Sequence, residues 1–228
     1  MVCEIAKKED RFNEMVCTKT LYNYIDAGLM KVKNIDLTLK VKMSNKSRRR
    51  RNNRRIMGES IEKRPQKVNE RNEFGHWEID TVVGTKNRSA VLLTLAERVT
   101  RQLITVKIPS RSSQAVSEAM EKIISQFGDK ADKIFKSITA DNGSEFATLT
   151  NTISFADVYF THPYSSFERG TNEKQNSMLR RFFPKNQSLN NVSDQAIKAA
   201  QDWINTLPRK IFDYYCSNDL FQRFINSL

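Results

Sequence analysis

Residues 77–108 read WEIDTVVGTKNRSAVLLTLAERVTRQLITVKI. Within them, the stretches 77–83, 90–96 and 102–108 are rich in aliphatic and β-branched residues, and short turn-like or charged segments separate them. This pattern is typical of three consecutive strands joined by tight connections. We therefore predict an antiparallel meander at the start of the folded core.

Helical periodicity follows the meander. Residues 112–127 place apolar side chains at i, i+3, i+4 and i+7 ahead of Gly128, which predicts an amphipathic helix packed on the sheet. Further apolar stretches predict two short strands and then two helices, at 136–140, 157–160, 171–183 and 193–207. The sequence thus predicts an α/β fold with a mixed five-stranded sheet flanked by helices.

The first 72 residues differ in composition from the rest. Residues 1–35 predict a short helical piece, because Leu21, Ile25 and Leu29 recur at helical spacing. Residues 36–72 carry four consecutive arginines and few large apolar side chains, so charge repulsion favours a solvated basic linker or arm. We therefore predict three parts, namely 1–35, the linker 36–72 and a folded core at 73–228.

The charge of the chain points to a polyanionic partner. The formal net charge is +12 and the pI is about 9.7. Residues 40–67 alone hold twelve basic and two acidic side chains, so one segment makes the protein basic. This distribution favours nucleic-acid contact over a merely solvated tail.

The cysteines and the hydropathy of the chain indicate in which cellular compartment the protein is expected. The three cysteines, at positions 3, 17 and 216, include no CxxC pair and fit neither a disulfide framework nor a structural zinc site. No apolar run is long enough for a membrane span, and the N-terminus lacks a signal-peptide core. We expect a cytoplasmic protein with no membrane partner.

Three carboxylates stand at positions suited to chemistry. Asp80 lies in the first predicted strand, Asp141 ends the fourth, and Glu173 opens a helix. If the first and fourth strands are neighbours, Asp80 and Asp141 meet, and a helix that crosses the strand ends adds Glu173. Three such carboxylates suit two divalent cations about 4 Å apart that act on a phosphodiester. The alternative is ordinary capping and turn chemistry at each position.

Longer motifs surround these carboxylates. HWEIDTVVG at 76–84, TADNGSEF at 139–146 and THPYSSFERGTNEKQNSMLRRFFPK at 161–185 closely resemble the catalytic core of bacterial insertion-sequence DDE transposases of the IS-thirty type. That core belongs to the ribonuclease-H-like integrase superfamily. CTKTLYNYIDAGLMK at 17–31 also resembles the end of the helix-turn-helix region that precedes the core in this family, which makes residues 1–35 a partial helix-turn-helix remnant.

The resemblance implies a specific activity. Asp80, Asp141 and Glu173 match the catalytic metal ligands of the family, which hold two Mg²⁺ or Mn²⁺ ions. The family cleaves phosphodiester bonds at insertion-sequence ends and joins the freed 3′-hydroxyl to target DNA. The implied partners are double-stranded DNA and further copies of the chain in a synaptic complex, and the implied location is the bacterial nucleoid.

Basic side chains are the candidates for DNA contact. They lie in the linker and around the helix that carries Glu173: Arg48, Arg49, Arg50, Arg51, Arg54, Arg55, Arg169, Lys174, Arg180 and Arg181. Contacts of this kind position a duplex without reading its sequence. For any single one of them, a solvated surface charge is the alternative.

Two neighbours of the motifs have open roles. Glu145 is either a fourth acidic group near the metals or, as we favour, a residue in the first turn of the next helix. His162 is either a hydrogen-bonded structural residue or a phosphate contact.

The chain departs from the family pattern in places. Asn186 and Asp213 stand where the family has Gly, and Cys216, Ser217 and Asn218 replace Thr-Pro-Glu. Asn tolerates a left-handed conformation, so the first of these turns is able to survive. Three functions compete at this point: an active transposase core, a truncated DNA-binding remnant that no longer transposes, and a general nuclease on the same fold.

Overall fold

A computed structural model describes residues 3, 5, 6, 9, 14–37, 57–85, 89–162 and 165–228, without the side chains of residues 166 and 167. The chain divides into two compact units, one made of residues 1–52 and 208–214 and the other of residues 53–207 and 215–228. Six of the ten predicted DNA contacts, the arginines between positions 48 and 55, lie outside the described residues. No helix among the described residues is long and apolar enough to cross a bilayer.

The first unit contains helix α1 (Thr18–Asp26), a 3₁₀ turn at Asn34–Asp36 and another at Lys210–Phe212. The second unit contains the sheet. Its strands are β1 (Glu59–Ser60), β2 (His76–Val83), β3 (Val91–Glu97), β4 (Leu103–Ile108), β5 (Ser137–Ala140) and β6 (Asp157–Phe160). Its helices are α2 (Gln66–Glu70), α3 (Ser113–Ser125), α4 (Ala131–Ile134), α5 (Leu149–Thr152), α6 (Gly170–Leu179), α7 (Asp194–Asn205) and α8 (Ser217–Ser227).

The sheet is mixed, in the order β1-β6-β5-β2-β3-β4. Strands β2, β3 and β4 are the predicted antiparallel meander, and β2 pairs with β5 in parallel. The first and fourth predicted strands are therefore neighbours, as the grouping of the carboxylates required.

The predicted number of five strands is wrong, because β1 adds a sixth. It pairs in parallel with β6, with Glu59 opposite Tyr159. A two-residue strand is too short for an alternating pattern to reveal it. Together with a 3₁₀ turn at Ile61–Lys63 and α2, it shows that the described part of the predicted linker, from residue 57 to 72, carries regular structure.

Apolar cores cover both faces of the sheet. On one face, Trp77, Ile79 and Leu93 pack against the apolar stripe of α3, and Trp77 Nε1 donates to Ile134 O at 2.7 Å. On the other face, Val82, Leu92 and Leu103 meet residues of α6 and α7 such as Leu179 and Ile204. This layering presents the end of β5 and the middle of β2 at the N-terminal end of α6.

The departures from the family pattern preserve local geometry. Asn186 and Asp213 both adopt the left-handed conformation that Gly favours, with φ of 68° and 48°. Cys216 caps α8, since its Sγ accepts from Asp219 N at 3.4 Å and its own N–H donates to the Asp219 carboxylate. Helix α8 was not predicted, and its Phe221 joins the apolar core beside Trp77.

Candidate active site

Asp80 and Asp141 lie on adjacent parallel strands. The register pairs Trp77 with Ile138 and Glu78 with Thr139, and two more residues bring Asp80 beside Asp141 at the end of β5. Both side chains are partly buried, with relative exposures of 20% and 28%. The pairing of β2 with β5 thus places these two carboxylates together.

A single guanidinium bridges the two aspartates. Arg169 Nη1 lies 3.4 Å from Asp80 Oδ2, and Arg169 Nη2 lies 3.6 Å from Asp141 Oδ2. Nη1 also donates to Ile79 O at 3.1 Å. Arg169 is only 6% exposed. The side chain is therefore buried against the acidic pair, and the DNA contact at Arg169 stays a prediction.

Backbone N–H groups and one side-chain amide also donate hydrogen bonds to the carboxylates of Asp80 and Asp141. Thr81 N donates to Asp80 Oδ1 at 2.8 Å, and Asn176 Nδ2 donates to Asp80 Oδ2 at 2.9 Å. Gly143 N donates to Asp141 Oδ1 at 3.0 Å, which closes the predicted Asp-Asn-Gly turn. Burial raises the pKa of Asp141; Arg169 opposes this, and the nearby Asp80 and Glu145 charges add to it. These donors hold both carboxylates in place, with the Oδ2 atom of each facing Arg169.

Glu145 lies in the first turn after β5, as we favoured from the sequence, and its carboxylate is also close to Asp141. It is 3% exposed in the 3₁₀ turn Ser144–Phe146, and it accepts a hydrogen bond from Thr81 Oγ1 at 3.3 Å. Arg111 pairs with the same carboxylate. An alternating pattern does not reveal such a contact, because it depends on how the turn after β5 folds back on β2.

Glu173 does not join the two aspartates. It is exposed on α6, three residues before Asn176, whose amide contacts Asp80. Residues three apart share a helix face, so Glu173 lies on the side of α6 that carries Asn176. Within the described residues, however, no three Asp, Glu, His or Cys side chains are grouped so as to hold a metal ion. The expected meeting of all three carboxylates is thus realised for Asp80 and Asp141 alone.

The chemistry of the donors fits a divalent cation in part. Asp80 and Asp141 each direct one carboxylate oxygen at the same positive group, and hard carboxylate oxygens are the ligands that Mg²⁺ and Mn²⁺ prefer. A third ligand from Glu173 requires its side chain or the start of α6 to move.

A buried network fixes α6 to β2. Glu78, fully buried, pairs with Arg98 at 2.5 Å and accepts from Asn172 N at 2.8 Å in the first turn of α6. Asn172 Nδ2 also donates to Glu78 O at 3.0 Å. Thus a carboxylate from the strand stabilises the start of the helix.

The other predicted DNA contacts are in different surroundings. Lys174 and Arg181 are exposed, and the Arg181 guanidinium lies over the Trp203 ring at 5.2 Å. Arg180 donates to Val83 O at 2.8 Å and to Phe183 O at 3.4 Å, so its guanidinium is engaged by backbone carbonyls. DNA contact by Lys174, Arg180 and Arg181 stays a prediction.

His162 is a hydrogen-bonded structural residue. Its Nδ1 lies 2.8 Å from Glu168 Oε1, and its Nε2 lies 3.3 Å from Glu62 Oε1. The hydrogen bond with Glu168 raises the pKa of His162. These contacts favour the structural role over a phosphate contact.

Gly143 leaves no room for a side chain beside the carboxylates. A Cβ at this position would lie 2.5 Å from Glu145 Oε2 and 2.7 Å from Asp141 Oδ1. We expect Gly143→Ala to displace Asp141 and to lower the DNA cleavage that the sequence resemblance implies by about 100-fold or more, since a misplacement near 1 Å has that effect. Gly170→Ala is the stability control, because its Cβ would meet nothing within 4 Å. Thermal unfolding that shows both variants folded, with full cleavage by Gly143→Ala, would contradict this expectation.

The sequence match is centred on this site. Residues 70–166 match the family model described as the integrase core domain. This segment of the chain is thus similar to the integrase core domain. Asp80 and Asp141 both fall within the matched residues of this core, whereas Arg169 and Glu173 lie beyond them.

The chain is similar to transposases of bacterial insertion sequences. It is 42% identical over 90% of the chain to the probable transposase for insertion-like sequence element IS1161 from Streptococcus salivarius. It is 34% identical over 73% of the chain to the transposase of IS4351 from Bacteroides fragilis. It is 32% identical over 74% of the chain to the transposase InsI of IS30A from Escherichia coli. The chain spans 58%, 50% and 43% of these relatives.

The fold has a counterpart among solved structures. A chain in the cryo-EM structure of the simian T-cell lymphotropic virus intasome, in complex with PP2A regulatory subunit B56 gamma, aligns with a TM-score of 0.50 and 19% identity. The alignment covers 64% of this chain and 53% of that one. The predicted fold class, a ribonuclease-H-like α/β core with a mixed sheet, is thereby confirmed.

Proposed function

We propose that this chain carries the catalytic part of a DNA transposase, which cleaves phosphodiester bonds at insertion-sequence ends and joins the 3′-hydroxyl to target DNA. The observation that carries the proposal is the convergence of Asp80 and Asp141 on one positive group, in a core related to transposases. We further propose Glu173 as the third acidic residue of the site. The activity is metal-dependent in this proposal.

The reaction consists of two exchanges at phosphorus. A water oxygen bonds to the phosphorus at the insertion-sequence end, and the bond from phosphorus to the 3′-oxygen breaks, leaving a 3′-hydroxyl and a 5′-phosphate. That 3′-oxygen then bonds to a target phosphorus while the target 3′-oxygen leaves. One bond forms and one breaks in each step, so the strand joining needs no external energy source.

Different residues of the site would bind the metal ions and orient the metal ligands. Asp80 and Asp141 would hold the divalent cations, with Asn176, Thr81 and the Gly143 N–H keeping their carboxylates oriented. Bound there, Mg²⁺ or Mn²⁺ supplies charge stabilisation at phosphorus and activation of the attacking oxygen.

DNA approaches the exposed basic side chains. Lys174 and Arg181, together with the six arginines of the predicted arm, would neutralise phosphates, so the affinity should fall steeply with salt. A DNA substrate also places the proposed activity at the bacterial nucleoid. By analogy with the intasome, we propose that several copies of the chain assemble on the DNA.

Cleavage of the terminal repeats that flank the coding sequence tests this proposal. We expect the purified chain to nick a duplex carrying these repeats in Mg²⁺ or Mn²⁺ but not in EDTA, and to nick a scrambled duplex more slowly. Equal nicking of both duplexes would indicate a general nuclease. Salt-dependent binding without nicking would leave a DNA-binding remnant, and the proposed activity would be wrong for this chain.

A further inference from the structure

The placement of Arg169 is unusual for a residue in a DNA-processing site. Its guanidinium is buried between Asp80 and Asp141, at the residue preceding α6. Its Nε is also buried and has no hydrogen-bond partner among the described residues. Burying a charged group without all of its hydrogen bonds costs folding free energy. A favourable interaction must therefore offset the cost of burying the Arg169 guanidinium.

That interaction is the relief of the repulsion between the two aspartates. Two carboxylates side by side in a partly buried site require a cation nearby, and the Arg169 guanidinium is the cation that contacts both. It faces the Oδ2 atom of each aspartate, and these two aspartates would hold the divalent ion in the proposed function. A guanidinium and a metal ion cannot occupy the same space between them.

The pairing is also loose enough to break. The separations of 3.4 Å and 3.6 Å exceed the range of about 2.7–2.9 Å that is usual for charge-assisted hydrogen bonds. Arg98, by contrast, lies 2.5 Å from Glu78 and donates its Nε to Val68 O at 3.3 Å. The Nε of Arg98 thus has a hydrogen-bond partner, whereas the Nε of Arg169 has none among the described residues.

We propose that Arg169 is a positioning residue that takes the place of the divalent cation between Asp80 and Asp141 in the metal-free chain and leaves it when metal binds. The proposal rests on the proposed function in assuming that the two aspartates bind metal. Helix α6 begins at the next residue, and its first turn stays anchored to β2 through Asn172 and Glu78 when Arg169 departs.

The test is the metal dependence of thermal unfolding for the full chain without DNA, with Mn²⁺ alone as the probe. In EDTA, we expect Arg169→Met to melt at a lower temperature than wild type, because the aspartates lose their counter-ion. In a Mn²⁺ titration, we expect the Mn²⁺ concentration that gives half of the thermal stabilisation to be about tenfold lower for Arg169→Met than for wild type. The reason is that Mn²⁺ has no guanidinium to displace in this variant. Arg169→Lys keeps one charge but contacts only one carboxylate at a time. Its Mn²⁺ midpoint should therefore lie between those of wild type and Arg169→Met.

Arg111→Met is the matched control. It removes a positive charge near the same site, yet Arg111 pairs with Glu145 and has no direct contact with Asp80 or Asp141. Its midpoint should shift less than that of Arg169→Met. Equal shifts for the two variants, or weaker Mn²⁺ binding by Arg169→Met and Arg169→Lys, would overturn the proposal.

Two further outcomes separate the possible failures. If wild type and Arg169→Met both show no response to Mn²⁺, metal binding at the aspartates fails, and the metal-dependent part of the proposed function fails with the displacement. If metal binds with one unchanged midpoint in all variants, only the displacement fails. If Arg169→Met lowers DNA affinity in EDTA as much as Lys174→Met does, Arg169 contacts phosphate, which also overturns the proposal.

Discussion

Replacing Asp141 with Asn should reduce strand cleavage by at least about 10³-fold, which corresponds to about 4 kcal/mol of lost transition-state stabilisation. The amide keeps the shape of the side chain, so Gly143 N is still able to donate to its oxygen. The anionic oxygen that faces Arg169, or a metal ion, is lost. Asp80→Asn should have the same effect on cleavage.

The Asp141→Asn variant should be at least as stable as wild type at neutral pH. Burial raises the pKa of Asp141 above its ordinary value of 3.8, so the folded state holds its proton more tightly than the unfolded state. The charge of wild-type Asp141 therefore costs stability as the pH rises above that value, and Asp141→Asn removes the cost. The advantage of the variant should disappear below about pH 4.

Urea unfolding at several pH values and the cleavage assay together check this expectation. Asp157→Asn is the matched control, because Asp157 is exposed at the opposite end of the parallel strands, on β6. Cleavage by Asp141→Asn within tenfold of wild type would remove Asp141 from the catalytic site. Unfolding of Asp141→Asn at neutral pH would assign it a structural role.

Replacing Arg98 with Met should destabilise the second unit by about 3–5 kcal/mol, because a fully buried Glu78 would lose its partner. Glu78 also accepts from Asn172 N at the start of α6, so the helix that carries Glu173 should loosen as well. The double variant Glu78→Gln with Arg98→Met should recover part of this stability, since both charges are gone.

The surface pair of Lys63 and Glu59 provides the comparison. These side chains are 70% and 45% exposed, and Lys63→Met should change the free energy of unfolding by no more than about 1 kcal/mol. Urea unfolding of the three variants measures the difference. A loss for Arg98→Met as small as that for Lys63→Met would mean that water reaches Glu78.

Much of the fold was predictable because it depends on local patterns. The apolar runs predicted β2, β3 and β4 and the helix α3 to within a few residues, and the stripe of α3 lies in the core as expected. Strand β1 was not predicted, because two residues carry no alternation and its pairing depends on the edge of β6. Helix α8 was missed because its capping residue, Cys216, is not one of the usual N-cap residues.

The site was predictable only where strand order decides it. Asp80 and Asp141 meet because β2 and β5 are parallel neighbours, and their positions follow from that pairing. Glu145 and Arg169 come from a turn and from the segment before a helix, where no periodicity indicates which way a side chain points. An arginine in such a segment is expected at the surface, where most arginines lie.

Spacing of apolar side chains along the chain was enough to establish an α/β sheet protein, and the motifs around Asp80, Asp141 and Glu173 were enough to show its resemblance to transposases. Which cation faces the two aspartates, and the exposure of Glu173 on α6, emerged only from the packed structure. The physical reason is that hydrophobic periodicity reports burial along one element. Electrostatic partners come from segments far apart in the chain, and folding alone brings them within a few ångströms of each other.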